Sequence, residues 1–354
     1  LVGRPRDTAL DGGGTTSHGR DMQFLSDNAA PVHPAVWDAM RAADAADAPY
    51  DGDAMSAALD ARFSALFGTE CAVLWTPTGT AANCLALASM VPPFGGIVCH
   101  REAHIEVDEG GAPGFFTHGA KLMLADGPGA KLTAHAAAAV IDPIRNDVHQ
   151  VQPHAIAITQ ASEYGECYTP DELAALGEFA RERGLRFHMD GARFANAVAH
   201  LDCTPAEASC SHGIDSLAMG FIKNGGMGAE ALIFFDTALA DEARRRRKRA
   251  GHLSSKGRFL AAQLLAMVED DLWLANARGA NAAAAALGDA APERLMHPVE
   301  ANEVFMTLTA AERTVLREQG YQFYDWGAGA ARFVAAWNTP IADAQALAAR
   351  IAAL

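Results

Sequence analysis

Three short stretches of this 354-residue sequence combine residue types that can do chemistry together. In Trp75-Thr76-Pro77-Thr78-Gly79-Thr80, small and hydroxyl-bearing residues separate an apolar run from the helix-forming Ala81-Ala82-Asn83-Cys84-Leu85. A turn of small residues that opens a helix presents free backbone N–H groups and the positive end of the helix dipole to a phosphate. The hydroxyls of Thr78 and Thr80 add donors. In His188-Met189-Asp190-Gly191-Ala192-Arg193 a carboxylate lies just past an apolar run. At the ligand-binding edge of an open α/β sheet such an Asp can keep a ring nitrogen protonated, which is what a pyridine-type electron sink needs. In Gly220-Phe221-Ile222-Lys223-Asn224-Gly225-Gly226-Met227-Gly228 a lysine stands in a glycine-rich turn. There an amine can enter a shaped pocket and lose enough solvent to become a nucleophile. Each stretch has a plainer reading: a capped helix start, an Asp capping the next helix, and a surface lysine. Their order along the chain, phosphate turn, then Asp, then Lys, favours one shared site.

Such groups must be held by a scaffold. From about Cys71 short apolar runs alternate with longer amphipathic ones, the pattern of parallel strands covered by helices. Strands are expected at 72–75, 96–99, 121–124, 155–159, 185–189, 216–219 and 232–235. Thr169 caps a helix in which Pro170 suits the first turn and Glu172 completes a capping box. Leu173, Leu176, Phe179 and Ala180 share one face of it, and Gly184 ends it. A helical stretch follows over 238–287. Then 302–308 reads as extended, 310–319 as helical, 331–337 as extended and 341–353 as helical. The expected fold class is α/β: a mostly parallel seven-stranded sheet sandwiched by helices, with a smaller C-terminal α+β domain. The expected divisions are a large domain over 22–237 that includes the N-terminal helices, a helical connection over 238–287 and a small domain over 288–354. Residues 1–21, with Gly12-Gly13-Gly14 beside Thr15-Thr16-Ser17 and no apolar periodicity, read as a flexible leader or expression remnant.

Composition narrows the function classes. Hydrophobic residues make up 50% and charged residues 20% of the chain, the balance of a folded protein rather than a disordered one. The net charge of −15 repels nucleic acid as a general partner. The basic run at 244–249 is expected to be a solvated helix face. No stretch approaches the roughly 18 apolar residues of a membrane span, and no signal-like segment is recognised, so the expected setting is cytoplasmic, with no membrane partner. The six cysteines include no C-x-x-C pair, and no metal site is spelled out. Neither G-x-G-x-x-G after a strand nor G-x-x-x-x-G-K-[ST] occurs, which lowers nucleotide chemistry.

Several stretches together carry a family resemblance. They are Ser26-Asp27-Asn28, Pro77 through Asn83, Ala103-His104-Ile105, Asp108-Glu109-Gly110-Gly111-Ala112, Ile158 through Glu163, His188 through Asn196, Lys223-Asn224-Gly225 and Gly251 through Lys256. The chain from Phe24 onward resembles the aspartate-aminotransferase-like class of pyridoxal 5'-phosphate enzymes, and within it the L-threonine aldolase and phenylserine aldolase family. That resemblance implies that Lys223 carries the cofactor as a Schiff base and that Asp190 pairs with the ring nitrogen. It implies that Thr78, Gly79 and Thr80 hold the phosphate, that His104 stacks on the ring, and that Arg193 lies beside the cofactor's phenolic oxygen. Ser26, Arg193 and Arg332 match positions that bind the substrate carboxylate, and His104 and His149 match positions near the substrate hydroxyl, as base candidates or as relays to a water. Lys248 or Lys256 matches a residue reaching a neighbouring subunit's phosphate. The implied assembly is a homo-oligomer, a dimer of dimers, with active sites at the subunit interface.

The implied activity is retro-aldol cleavage of L-threonine, L-allo-threonine or L-phenylserine to glycine and an aldehyde. The wording of Gly114-Phe115-Phe116 and Gly119 through Met123 resembles the phenylserine-accepting branch. A β-eliminating lyase or an aminotransferase using the same Asp190 and Lys223 is the alternative. Two departures stand out: Ile222 where the family often has Thr, and Tyr50-Asp51-Gly52-Asp53 where it often has Tyr-Gly-x-Asp.

Overall fold

Val, Ile, Leu and Ala runs too short for helices and apolar on both faces build the sheet at the centre of the molecule. The computed structural model describes residues 22–354, so the expected leader at 1–21 lies outside the described residues. The strands are β1 (Met22–Gln23), β2 (Ala72–Thr76), β3 (Gly95–His100), β4 (Lys121–Ala125), β5 (Gln152–Thr159), β6 (Arg186–Gly191), β7 (Ser216–Met219), β8 (Glu230–Phe234), β9 (Glu303–Thr307), β10 (Tyr321–Gln322), β11 (Tyr324–Trp326) and β12 (Ala330–Val334). Seven of them form one sheet in the order β2-β8-β7-β6-β5-β3-β4. β8 runs antiparallel to both its neighbours, β2 and β7; the other pairs are parallel.

The helices are α1 (Pro34–Ala42), α2 (Ala54–Phe67), α3 (Gly79–Met90), α4 (His104–Val107), α5 (Ala112–Phe116), α6 (Ala134–Ile141), α7 (Pro170–Arg183), α8 (Phe194–Leu201), α9 (Ala240–Arg249), α10 (Arg258–Val268), α11 (Leu272–Gly288), α12 (Ala310–Glu318) and α13 (Ile341–Ala352). Alternate residues of each strand point to opposite faces. Val73, Trp75, Ile156, Ile158, Phe187 and Met189 pack with Phe63 of α2, Leu173 and Leu176 of α7 and Leu264 of α10. On the other face Leu74 and Leu232 pack with Leu85 of α3 and Ala243 of α9, and Ile97 and Cys99 pack with Leu87 and Ile105. Each fully buried Leu or Phe contributes about 1.5–3 kcal/mol, which gives this two-faced burial its hold on the strand register.

α7 forms as its sequence requires. Thr169 and Glu172 make both bonds of the capping box, and Gly184 closes the helix in the left-handed region at φ 65°. A second core joins Phe24, Leu287 of α11, Val304 and Met306 of β9, Phe333 of β12 and Leu347 of α13. It lies over the antiparallel sheet β11-β12-β9, and β1 pairs in parallel with β10.

Three expectations need correction at the level of single residues. Asp190 does not lie past a strand: β6 continues through Gly191 because Asp190 and Gly191 pair with Ala218 and Met219 of β7. β8 begins at Glu230 and not at Leu232, since β2 pairs with both of its first two residues and β7 with the second, and a charged residue conceals the strand start. The basic run is not wholly a solvated face. Arg244 and Arg246 do pair along α9 with Asp241 and Glu242, but Arg247 is buried, lies 4.4 Å from the centroid of the Trp75 ring and pairs with Asp51. The Asp51-Gly52-Asp53 departure is thereby explained in part: Asp51 meets Arg247, while Asp53 caps α2 by accepting from Ser56 N.

Among the described residues no helix is long and apolar enough to cross a membrane.

Candidate active site

β2, β3, β5, β6 and β7 all end at one edge of the sheet, and β8, being antiparallel, begins there. That edge is where an α/β sheet binds its ligands. It holds a cavity of about 280 Å³ lined by Asn28, Thr78, Gly79, Thr80, Asn83, His104, Thr159, Ala161, Glu163, Asp190, Ala192, Arg193, Ile222, Lys223 and Glu230. Thr78, Gly79, Thr80, His104, Asp190, Arg193 and Lys223, all named from sequence, therefore share one space. The cavity's size and polar lining suit a small charged ligand.

At the end of β2, Thr78 is the N-cap of α3 and accepts from Ala81 N at 3.1 Å. The next two amides, Gly79 N and Thr80 N, have no partner among the described residues. These are the orphan donors of a helix start, and they face the cavity with the dipole behind them.

Lys223 sits in the short turn Ile222–Asn224 between β7 and β8. The turn is pinned from several sides. Asn224 donates to Trp273 O at 2.8 Å, Asn276 donates to Asn224 O at 2.8 Å, and His33 N donates to Gly225 O at 2.8 Å. Gly225 has φ 106°, which a side chain would strain. Glu230 accepts from the amides of Phe221 and Ile222, the latter at 3.3 Å. Gln263 accepts from Met227 N and Gly228 N, each at 3.0 Å.

Asp190 is 5% exposed. One oxygen accepts from Ala192 N at 3.0 Å and the other from the Asn83 amide at 2.8 Å. The same amide donates to Glu109 at 2.9 Å, and Glu109 accepts from His104 Nδ1 at 3.0 Å. Because Asn83 spends its N–H groups on carboxylates, its Oδ1 must accept, which fixes His188 as the donor through Nε2 at 3.0 Å. His188 Nδ1 then accepts from Ser216 Oγ at 2.8 Å. This makes a buried chain, Ser216–His188–Asn83, ending on two carboxylates. Burial keeps His188 neutral, its pKa lowered to about 4 despite Asp190 nearby. For His104, burial acts downward but is outweighed by the bond to Glu109 and the charges of Asp190, Glu163 and Glu109, so its pKa is raised. With Nδ1 committed to Glu109, Nε2 remains for the cavity.

Arg193 is 9% exposed and bonds Asp27 through Nε at 2.8 Å and Nη2 at 3.0 Å, a bidentate pair. Burial would raise the Asp27 pKa, but the charges of Arg193 and Lys223 and bonds from Arg193 and Asn302 hold it at about 2. Arg193 Nη1 also lies 3.2 Å from Glu303, and Arg332 meets Glu303 at 2.5 Å. Arg332 is thus not in the cavity lining but is joined to Arg193 through one shared carboxylate. Ser26 caps the short turn Asp27–Ala29 by accepting from Asn28 N at 3.2 Å, beside Asn28, which lines the cavity.

Two named residues stand apart. His149 is exposed, in a turn where its N–H donates to Asp147 at 2.9 Å. Lys256 is exposed beside Tyr50. Neither lines the cavity of its own chain.

Several site residues had no sequence signal of their own. Asn83, Glu109, Glu163 and His188 lie within the quoted motifs without a role, and Glu230 and Glu303 are met only across the fold. Glu163 accepts from His104 N at 3.0 Å, and burial raises its pKa against the opposing charge of His104.

The donor set fits pyridoxal phosphate. Free amides and hydroxyls at the start of α3 suit a phosphate, a buried carboxylate held from two sides suits a pyridinium nitrogen, and a lysine lines the same cavity.

The model of the beta-eliminating lyase family matches residues 23–311. A low specificity L-threonine aldolase of a Pseudomonas species is 42% identical over 341 residues, 95% of this chain and 98% of that protein. The protein of the same description from Pseudomonas aeruginosa is 43% identical over 92% of this chain and 96% of its own length. The solved structure of a threonine aldolase from Leishmania major matches with a TM-score of 0.88 at 26% identity, covering 94% of this chain and 99% of that one. The chain therefore belongs to the beta-eliminating lyase family and, within it, to the pyridoxal-phosphate-dependent low-specificity L-threonine aldolases.

Proposed function

We propose that this cavity cleaves L-β-hydroxy-α-amino acids, L-threonine, L-allo-threonine and L-phenylserine among them, between Cα and Cβ to give glycine and an aldehyde. The observation that carries the reading is the convergence of Lys223, Asp190, the Thr78–Thr80 amides and Arg193 on one cavity. When bound, pyridoxal phosphate supplies an electron sink for the pair released at Cα.

The chain's own residues do the rest. Lys223 anchors the cofactor, Asp190 keeps the ring nitrogen protonated, and Thr78, Gly79 and Thr80 hold the phosphate. Arg193 and Arg332, with Ser26, orient the substrate carboxylate, and orientation of this kind accounts for several kcal/mol of a barrier. Both arginines are already paired with Asp27 and Glu303, so the substrate carboxylate shares their remaining donors and does not meet bare charges. His104 Nε2 handles the proton of the β-hydroxyl, directly or through water. Acceptance of L-phenylserine is supported by the wording of Gly114-Phe115-Phe116 and of Gly119 through Met123.

His149 and Lys256 belong, in this reading, to the site of a neighbouring copy in a homo-oligomer, a dimer of dimers. Supporting this, both are exposed and so open to a neighbouring copy. A cytoplasmic setting is part of the proposal, supported by six cysteines that are all free thiols. The proposed divisions are large at 22–237, connecting at 238–287 and small at 288–354; the two separate apolar cores support the distinction between large and small, while Leu264 and Trp273 of the connection pack in the first core and Phe24 and Leu287 in the second.

Incubation with L-threonine or L-phenylserine tests the reaction. Glycine plus the matching aldehyde is expected; a keto acid as the main product instead identifies an eliminating or transaminating enzyme. For the shared site, mixing inactive Lys223→Ala with His149→Ala protein under subunit-exchange conditions is expected to restore activity, and no recovery after verified exchange refutes it.

A further inference from the structure

Glu230 is a buried carboxylic acid with no part in the chemistry above, yet it lines the cavity. Its Oε2 is taken by the amides of Phe221 and Ile222, and its Oε1 has no partner among the described residues. The phosphate turn is stitched to it: Thr76 pairs with Glu230 across β2 and β8, and Thr76 Oγ1 lies within donating distance of both Glu230 O, at 3.4 Å, and Thr78 O, at 3.2 Å. An acid is thus fixed beside the helix start assigned to phosphate. Two anions in one buried site do not both stay ionised, and the one that can take a proton does so.

We propose that Glu230 is a proton-carrying wall of the phosphate end of the cavity, so that binding of a phosphate monoester at Thr78-Gly79-Thr80 draws one proton from solvent onto Glu230 Oε1. The inference rests on the phosphate placement given under Proposed function. Oε2 keeps its two backbone bonds while protonated Oε1 becomes a donor. The charged groups around it are Lys223 from the turn before β8, Asp190 and Arg193 from the end of β6, and His104 and Glu163 across the cavity; Thr78 and Thr80 at the start of α3 contribute hydroxyls. Lys223 favours the ionised form and Asp190 opposes it, while burial dominates and raises the pKa to about 7, so the group can change state at ordinary pH.

The test uses the whole chain freed of cofactor and pyridoxamine 5'-phosphate, which has the phosphate but no aldehyde to engage Lys223. Calorimetry at about pH 8, in buffers of different ionisation enthalpy, counts the protons taken up. Wild-type protein is expected to take up nearly one proton more than Glu230→Gln, whose amide is a permanent donor. Between about pH 7 and about pH 8.5 the wild-type affinity is expected to fall about fifteenfold more than that of the variant, following the protonated fraction of a group titrating near 7. Equal uptake and equal pH slopes in the two proteins overturn the proposal. The wild type alone supplies a second check: unphosphorylated pyridoxamine is expected to take up no such proton, and equal uptake without phosphate overturns it also. If instead Thr78→Ala and Thr80→Ala leave the affinity for pyridoxamine phosphate unchanged, the placement of the phosphate itself has failed.

Discussion

Replacing Asn83 by Ala removes the centre of the polar network under the site. Two donor bonds to carboxylates vanish, at 2.9 Å to Glu109 and 2.8 Å to Asp190, together with the acceptor of His188 Nε2 at 3.0 Å. A hydrogen bond to a charged group is worth about 1.5–3 kcal/mol, and a buried donor left unmade costs about 1–3 kcal/mol. These losses are not additive, because a water can enter the vacated space and repair part of them. A net loss of about 3–5 kcal/mol is expected, a large share of a typical total of about 5–15 kcal/mol. The assay is urea unfolding with cofactor present, together with the dissociation constant of pyridoxal phosphate, since Asp190 loses one of its two supports. Asn83→Asp is expected to be worse than Asn83→Ala, for it sets a third carboxylate against Glu109 and Asp190. A stability loss below about 1 kcal/mol for Asn83→Ala with unchanged cofactor affinity refutes the claim that this network holds the site.

Acid stability depends on two buried groups of opposite sign. His188, depressed to about 4, contributes stability that is present above its unfolded pKa near 6.5 and is lost as pH falls toward 4, about 3 kcal/mol in all. Glu230, raised to about 7, contributes stability that is full below about 4.5 and is lost as pH rises through 7, by a similar amount. Unfolding free energies between pH 7 and 4 are therefore expected to fall on acidification more steeply in Glu230→Gln than in the wild type; a parallel curve contradicts the account. Asp27→Asn removes one of the two acids that neutralise Arg193 and is expected to cost about 3–5 kcal/mol, as breaking a buried pair does. It is also expected to raise KM for the amino acid more than it alters cofactor affinity, measured by steady-state kinetics and cofactor titration; an unchanged KM contradicts the role given to Arg193.

The sheet was legible because its strands are apolar on both faces and short. The capping signals of α7 were legible because cap and partner lie three residues apart. The lysine, the aspartate and the phosphate turn were likewise readable, each being local in sequence. What escaped were groups whose meaning exists only across the fold: Asn83 meets His188 and Asp190 more than a hundred residues away, and Glu303 meets Arg193 and Arg332. Glu230 was hidden twice, since a charge does not look like a strand start and its amide partners are in the preceding turn. Arg247 looked like one more solvated arginine because no local pattern announces the Trp75 ring and Asp51.

The most direct test of the central claim is reduction of the cofactor-loaded protein with borohydride, followed by mass spectrometry of its peptides. The account predicts the cofactor's mass on Lys223, and loss of both that mass and glycine release in Lys223→Ala. Cofactor-saturated protein that cleaves L-threonine yet has no adduct on Lys223, or a Lys223→Ala variant that cleaves at the wild-type rate, contradicts it.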